Sequence, residues 1–396
     1  MERYLGKEEL DNLKKVINSQ KLWKRDGSFV RKFEAAFSEK MGVKYAIGVN
    51  SGSSALETCV AACDIKPGDE VICTAYSFIA SSMCVLRQNG IPVFADVDPR
   101  TLCLDPADVE KKITERTKAI IVVHIYGQPT KMDEIMRIAG KYRLLVIEDC
   151  CQAYESWYQG RKVGTIGDMG VFSLQQMKQI TSGEGGIVIT NNEKLFRKAA
   201  MHSNIGMVWD WERPENASHF AIGGNYRMGE LQAAVALAQL GKIELFRNER
   251  RKFIRIIEEN LSGVKGIGLA YKYEGAEPNF YFYPLRYDEN ALGMPRDEFI
   301  RQCREEAGDN ELEINSGTIR INYLEPIYRD INEKTHYAAV CGRKLEYKPG
   351  LCPVLEKVIP GGFITIRLHH GRTEDEITRA VKAIRTTVEK RQLQYA

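Results

Sequence analysis

The sequence predicts an α/β protein with a mainly parallel sheet, completed by a smaller α+β domain. Three observations support this. Six short runs are apolar throughout rather than alternately, as strands buried on both faces must be. Helical stretches and turn signals separate these runs, the order that builds a sheet with crossover helices. Beyond about residue 240 the texture changes to a long charged helix, aromatic-rich strands and a closing helix.

In chain order the expected strands are Glu70–Thr74, Pro92–Val97, Lys118–Tyr126, Leu144–Asp149, Met169–Leu174 and Gly186–Thr190. Helical patterns over Ser53–Ala62, Ser77–Gln88, Pro106–Ile113 and Met132–Lys141 lie among them, punctuated by the turns KPGDE, RQNGIP and YGQPTKMD. The second half offers a helix over Leu240–Leu261 and a strand region over Asn279–Tyr287. A final helix opens at Thr373-x-x-Glu376, a capping box. Ile377, Val381, Ile384 and Val388 then form one apolar stripe. These patterns place a large domain at residues 15–240 and a small one at 241–396, the latter completed by the N-terminal segment 1–14.

At about 150 residues per domain, 396 residues suit two or three domains. A formal charge of +3 is small for this length and disfavours both a nucleic-acid binder and an acidic disordered chain. No apolar run approaches the ~18 residues of a membrane span. The opening MERYLGKEELDNLKK lacks the apolar stretch of a secretion signal. A cytoplasmic protein without membrane or nucleic-acid partners is expected. The ten cysteines sit mostly in apolar runs without any CxxC pair, which fits reduced, buried thiols.

Three stretches suit chemistry. The turn Asn50–Leu56 supplies a glycine, small hydroxyls and the free N–H groups of a helix start, which bind phosphate. Simple N-capping by Ser51 or Ser53 explains it equally well, and no Gly-Lys-Ser/Thr follows to make a P-loop. Glu148 and Asp149 end a buried strand, where ligands of open α/β sheets bind. A carboxylate there anchors a cationic ring nitrogen, or merely caps the next helix. Lys178 follows another strand and leads into the tight segment Ser182–Gly186. Most lysines are solvated, but one beside a cleft can form a Schiff base. Together, a phosphate cradle, a carboxylate and a downstream lysine are what a pyridoxal-phosphate enzyme requires.

The chain resembles the DegT/DnrJ/EryC1/StrS sugar aminotransferase family of fold-type I pyridoxal-phosphate enzymes, from about Phe33 to Ile384. The stretches that carry the likeness are NSGSSAL, AYSFIASS, FADVDPRTLCLDP, ITERTKAIIVVHIYGQP, VIEDCCQA, GTIGDMGVFSLQQMKQITSGEGG and GGNYRMGELQAAVALAQL. The resemblance implies a large domain with a mainly parallel seven-stranded sheet and a smaller α+β C-terminal domain. It implies pyridoxal 5'-phosphate held by Lys178 as the Schiff-base lysine, with Asp149 on the pyridinium nitrogen. Gln152 would touch the 3-oxygen and Phe78 stack on the ring. Gly52, Ser53 and Ser173 would hold the phosphate. Asn225 would reach the phosphate of a neighbouring subunit, making a homodimer with shared active sites.

The implied reaction moves an amino group from glutamate or glutamine to a keto or aldehyde sugar for polysaccharide or specialised-metabolite biosynthesis. Acceptors in view are a nucleotide-linked sugar, a keto-octulosonate such as the 8-amino-Kdo precursor, or a cyclitol. Lys178 favours transamination over the dehydration carried out by relatives with histidine there, since an amine shuttles the proton. A dehydratase and a catalytically silent regulatory homologue are the rival readings. The pair Gln175-Gln176 resembles the cyclitol branches, some of which use glutamine. Several positions depart from the family pattern. Lys131 replaces an aspartate, and Ile366–Arg372 replaces a Leu-Pro-x-His-Pro type stretch. Arg367, Arg372 and the run Lys21–Arg25 could meet an anionic substrate, although a solvated basic edge is the default for such residues. The histidines form no metal pattern. His369 and His370 are adjacent, so a strand would point them to opposite faces. His124 reads as a hydrogen-bonded core residue. His202 and His219 flank Trp209 and Trp211, a loop suited to a sugar ring or to a dimer seam.

Overall fold

The computed structural model describes residues 4–208, 217–308, 313–317, 319–369 and 371–393. Trp209, Trp211 and His370 lie outside the described residues.

Seven strands form the large sheet: β1 Tyr45–Val49, β2 Glu70–Thr74, β3 Ile91–Ala95, β4 Thr117–Val123, β5 Leu145–Asp149, β6 Met169–Ser173 and β7 Gly186–Thr190. Their spatial order is β1-β7-β6-β5-β4-β2-β3. The pairs from β6 to β3 are parallel, and β7 alone runs antiparallel to both neighbours. The six expected strands are present, Glu70–Thr74 and Gly186–Thr190 with the expected bounds and the other four with one or both ends shifted. The seventh, β1, carries Gly48 at its fourth position, which interrupts the apolar run that marks the other strands.

The continuous apolarity of the strands reflects burial on both faces. Val146 and Ile147 are neighbours in β5, yet they belong to different hydrophobic clusters. Helices Gly52–Ala62, Ala80–Arg87 and Glu193–Ser203 cover one face. Helices Phe29–Met41, Met132–Tyr142 and Glu230–Gly241 cover the other.

A second sheet of four antiparallel strands contains β8 Ile267–Gly268, β9 Phe282–Tyr287, β10 Ile314–Asn315 and β11 Phe363–Arg367, in the order β8-β9-β11-β10. It shares a third cluster with helices Ile243–Leu261, Arg296–Ala307 and Glu374–Leu393. Ile377, Val381, Ile384 and Val388 all face this cluster. The capping box forms: Thr373 N–H donates to Glu376 at 2.8 Å, and Glu376 N–H donates to the Thr373 hydroxyl at 3.2 Å.

Three placements differ from the sequence pattern. The long helix expected over 240–261 is two helices broken at Lys242, and the second bridges both units. Its Phe246 packs under the large sheet, whereas Phe253 and Ile257 pack with the small one. The N-terminal segment does not join the small sheet. Helix Lys7–Ser19 buries Val16 in a large-sheet cluster, and its Glu9 accepts from Gln239 at 2.8 Å and from Lys242 at 2.8 Å. Val16 lies beyond the expected boundary, and a buried glutamate reads as surface in a sequence. Finally, residues 319–359 return to the large sheet. Tyr323, Tyr328 and Leu355 pack with Phe94 there, and Arg343 reaches Glu70 of β2 at 2.6 Å. The first part of this return, from Ile319 to Glu325, roofs the carboxyl ends of the parallel strands, whereas Arg343 sits at the amino end of β2. Among the described residues no helix is long and apolar enough to cross a membrane.

Candidate active site

A cavity of about 910 Å³ opens at those carboxyl ends, the place where an open parallel sheet leaves a crevice. The last residues of three adjacent strands line it: Val123 of β4, Asp149 of β5 and Ser173 of β6. Ser51, Gly52 and Ser53, at the start of helix Gly52–Ala62, form one end. Ser51 caps that helix by accepting from Ser54 N–H at 3.0 Å. Capping therefore coexists with the cradle, because the first N–H groups of a helix have no partner inside it. Gly52 is required by space. A Cβ there would sit 2.8 Å from the Ser173 Cβ and 3.1 Å from the Cys151 Sγ.

Asp149 is buried, and its position is fixed from two sides. Ser81 Oγ donates to Oδ2 at 2.7 Å, and Cys151 N–H donates to Oδ1 at 3.1 Å. Ser77 supports Ser81 at 2.7 Å, so the i, i+4 serines of AYSFIASS form a relay behind the carboxylate. Both donors are neutral, which leaves the negative charge for a cationic partner. The neighbouring Cys151 thiol is pushed well above its usual range by burial and by Asp149, with Lys178 acting against both.

Lys178 sits in the turn after β6, its N–H bonded to Gln175 O at 2.8 Å. Its Nζ stands 4.8 Å from the Tyr281 ring centroid, a cation–π contact on the cavity wall. Gln179 ties this turn to the loop after β5 by donating to Gln152 O at 2.6 Å. Gln152 Oε1 accepts from Tyr126 N–H at 2.8 Å, which orients the amide and leaves its NH₂ as a donor at the cavity. Phe78 stands at the lip, 66% exposed.

Seven of the eight expected site residues thus share one cavity: Gly52, Ser53, Phe78, Asp149, Gln152, Ser173 and Lys178. Asn225 does not line it. It is exposed and bridges Asn204, with its carbonyl 3.4 Å from Asn50 Nδ2. The run Lys21–Arg25 also lies elsewhere, with Lys24 paired to Glu34 at 2.6 Å. Arg367 does line the cavity. Gln175 does too, while Gln176 turns away to the Tyr4 hydroxyl at 2.6 Å. Sequence reasoning missed Ser81, Tyr281 and the polar wall of Glu313, Asn315, Arg320, Asn322 and Glu325. The serine spacing was the only signal for the first, and the wall comes from a segment that only the fold brings back.

Glu148 points to the other face of β5 and is not part of the cavity. It accepts from His124 Nε2 at 3.0 Å and from the N–H groups of Gly164, Ile166 and Gly167 at 2.8, 2.7 and 2.6 Å. His124 Nδ1 accepts from Thr130 N–H at 3.1 Å, so the proton resides on Nε2. Burial pushes the nearby Cys150 thiol well above its usual range. His124, Glu148 and Cys150 lie close enough to resemble a ligand set, but the histidine and the carboxylate are committed to hydrogen bonds.

The chain belongs to the DegT/DnrJ/EryC1/StrS aminotransferase family, whose sequence model matches residues 3–385. It is 35% identical to the GDP-perosamine synthase of Caulobacter vibrioides over 90% of each chain. It is 37% identical to the L-glutamine:2-deoxy-scyllo-inosose aminotransferase of Micromonospora echinospora, over 72% of this chain and 70% of that one. The solved structure of an aminotransferase from Psychrobacter cryohalolentis superimposes with a TM-score of 0.87 at 29% identity, covering 98% of both chains.

Proposed function

We propose that this family member uses pyridoxal phosphate to move an amino group from glutamate or glutamine to the carbonyl of a sugar or cyclitol. The observation that supports this most is the meeting of Lys178, Asp149 and the Gly52–Ser173 cradle in one cavity. The residues fit the cofactor. The cradle is one that a side chain at residue 52 would fill, and the buried carboxylate has only neutral donors around it. Lys178 would bond the aldehyde carbon, Asp149 would face the ring nitrogen, and the Gln152 NH₂ would meet the 3-oxygen. Phe78 would cover the ring, and Gly52, Ser53 and Ser173 would surround the phosphate. Asn225, exposed and outside its own cavity, suits the phosphate site of a second copy in a homodimer.

When bound, the cofactor supplies an electron sink for breaking bonds at the amine-bearing carbon. Asp149 would keep the ring nitrogen protonated, which that role demands. Lys178 Nζ takes the proton from the substrate's amine-bearing carbon, as a positioned amine can. Gln152 and Phe78 would hold the ring in place, and Tyr281 lies against the lysine Nζ at 4.8 Å. The named relatives support a sugar nucleotide or an inosose as acceptor, and the motif likeness alone suggests a keto-octulosonate. The ten free cysteines fit a reducing, cytoplasmic compartment.

A half-reaction screen tests this reading. Purified holoenzyme is mixed with each amino acid, and the cofactor spectrum is followed. Glutamate or glutamine should convert it, and a keto sugar or inosose should restore it. If no amino acid changes the spectrum, the aminotransferase reading is wrong.

A further inference from the structure

Two arginines on the cavity wall, Arg320 and Arg367, are not accounted for by cofactor binding, and Arg320 is largely exposed and lies 3.8 Å from Glu325. Arg367 ends β11 and lines the same cavity as Lys178. The two cations stand over adjacent aromatic rings. Lys178 lies over Tyr281 and Arg367 over Phe282, at 4.8 and 5.7 Å, and the ring centroids are 4.7 Å apart. Among the described residues Arg367 pairs with one carboxylate, Glu313, which Arg372 already holds at 2.7 Å. Arg367 reaches Glu313 only at 3.6 Å, too far for a hydrogen bond, and His369 stands 3.7 Å from the same group. Arg367 makes no side-chain hydrogen bond to any described residue, and its Nε is buried without a partner. A guanidinium carries five donors, and those of Arg367 that face the cavity are open to a ligand in place of water.

The backbone beside this arginine is fixed. Leu368 O accepts from Arg250 Nε at 3.2 Å, and Leu368 N–H donates to Tyr281 O at 3.3 Å. Arg250 is itself buried, so β11 ends at a pinned position. The backbone that carries Arg367 is therefore held in place, and the guanidinium rests over Phe282 on the same cavity wall as Lys178.

We propose that Arg367 binds a carboxylate of the substrate and thereby sets the specificity of the cavity. This rests on the aminotransferase reading, in which donor and acceptor take turns in one site. Two carriers share the chemistry: the α-carboxylate of the amino-acid donor, and a carboxylate on a sugar-acid acceptor.

The test compares wild-type holoenzyme with R367Q and R367K in two arms. The donor arm follows spectral conversion by L-glutamine against 4-aminobutanamide, which lacks the α-carboxylate. The acceptor arm measures calorimetric binding of D-glucuronate against D-glucose, and it reads out even if no amine is transferred. Wild type should prefer the carboxylated member of one pair by about tenfold or more, the scale of a charge-assisted hydrogen bond. R367Q should abolish that preference, and R367K should restore part of it. The pair affected identifies the carrier. If R367Q does not fold, the wild-type preference must fall at least several-fold as salt is raised, as a charge contact at an open cavity does. No preference in either arm, or a preference that R367Q leaves within twofold, overturns the proposal. Absence of spectral conversion by every donor overturns the aminotransferase reading instead.

Discussion

The two faces of β5 carry adjacent carboxylates under opposite regimes. Glu148 faces the helical layer and is saturated: four donors converge on it, and all of its charge serves the fold. Asp149 faces the cavity with two neutral donors, and its charge remains available to a ligand. Burial alone does not separate them, since both are buried. What separates them is how completely their acceptor capacity is used. Completion builds structure, and incompletion beside a cavity builds a site.

This contrast can be broken by substitution. The largest effect belongs to Lys178, the partner of the Asp149 face. Lys178→Ala should lower amine transfer by about a thousandfold or more, the upper range of acid–base catalysis, with little change in melting temperature. Asp149→Asn should lower transfer by about a hundredfold or more while the protein stays folded, since the amide keeps the shape but not the charge. On the opposite face, Glu148→Gln should do the reverse. It puts an amide NH₂ against converging donors and should cost about 3 kcal/mol in a urea melt, with turnover per folded molecule nearly unchanged. If Glu148→Gln instead removes activity without loss of stability, the division between the faces is mistaken.

Gly52→Ala sharpens the picture at the cradle. The added methyl meets Ser173 at 2.8 Å and should weaken cofactor retention about tenfold in a dialysis assay, at an overpacking cost of roughly 1–3 kcal/mol. The smallest effect concerns another saturated carboxylate. Glu70 of β2 is buried, which raises its pKa, but hydrogen bonds from Thr114, Arg116 and Arg343 outweigh this and hold it below its usual range. A depressed carboxylate stabilises the fold fully above its unfolded pKa of about 4.3 and loses that contribution as pH falls through the lower folded value. Melting temperature should therefore drop in acid below about pH 4, and Glu70→Gln should flatten the drop. An equal acid response in both proteins would show that Glu70 does not contribute.

Much of this was legible without coordinates, for physical reasons. The strands were readable because burial on both faces leaves an unbroken apolar signal in EVICT or LLVIED. Asp149 and Lys178 were readable because strand ends and tight turns mark where a sheet opens. Glu148 was not separable from Asp149, since the side-chain alternation of a strand sends neighbours to opposite faces without saying which face holds the cavity.

The sequence by itself determined the fold class, through unbroken apolar strands, and the family, through the likeness of its motifs, together with the order of the candidate site residues along the chain. Only the tertiary structure decided that residues 319–359 return to the large sheet, that the N-terminal helix leaves the small one, and that Arg367 shares a cavity wall with Lys178 over paired aromatic rings. Those contacts join residues far apart in the chain. Their free energy comes from buried area and shared charge, which have no local pattern to betray them.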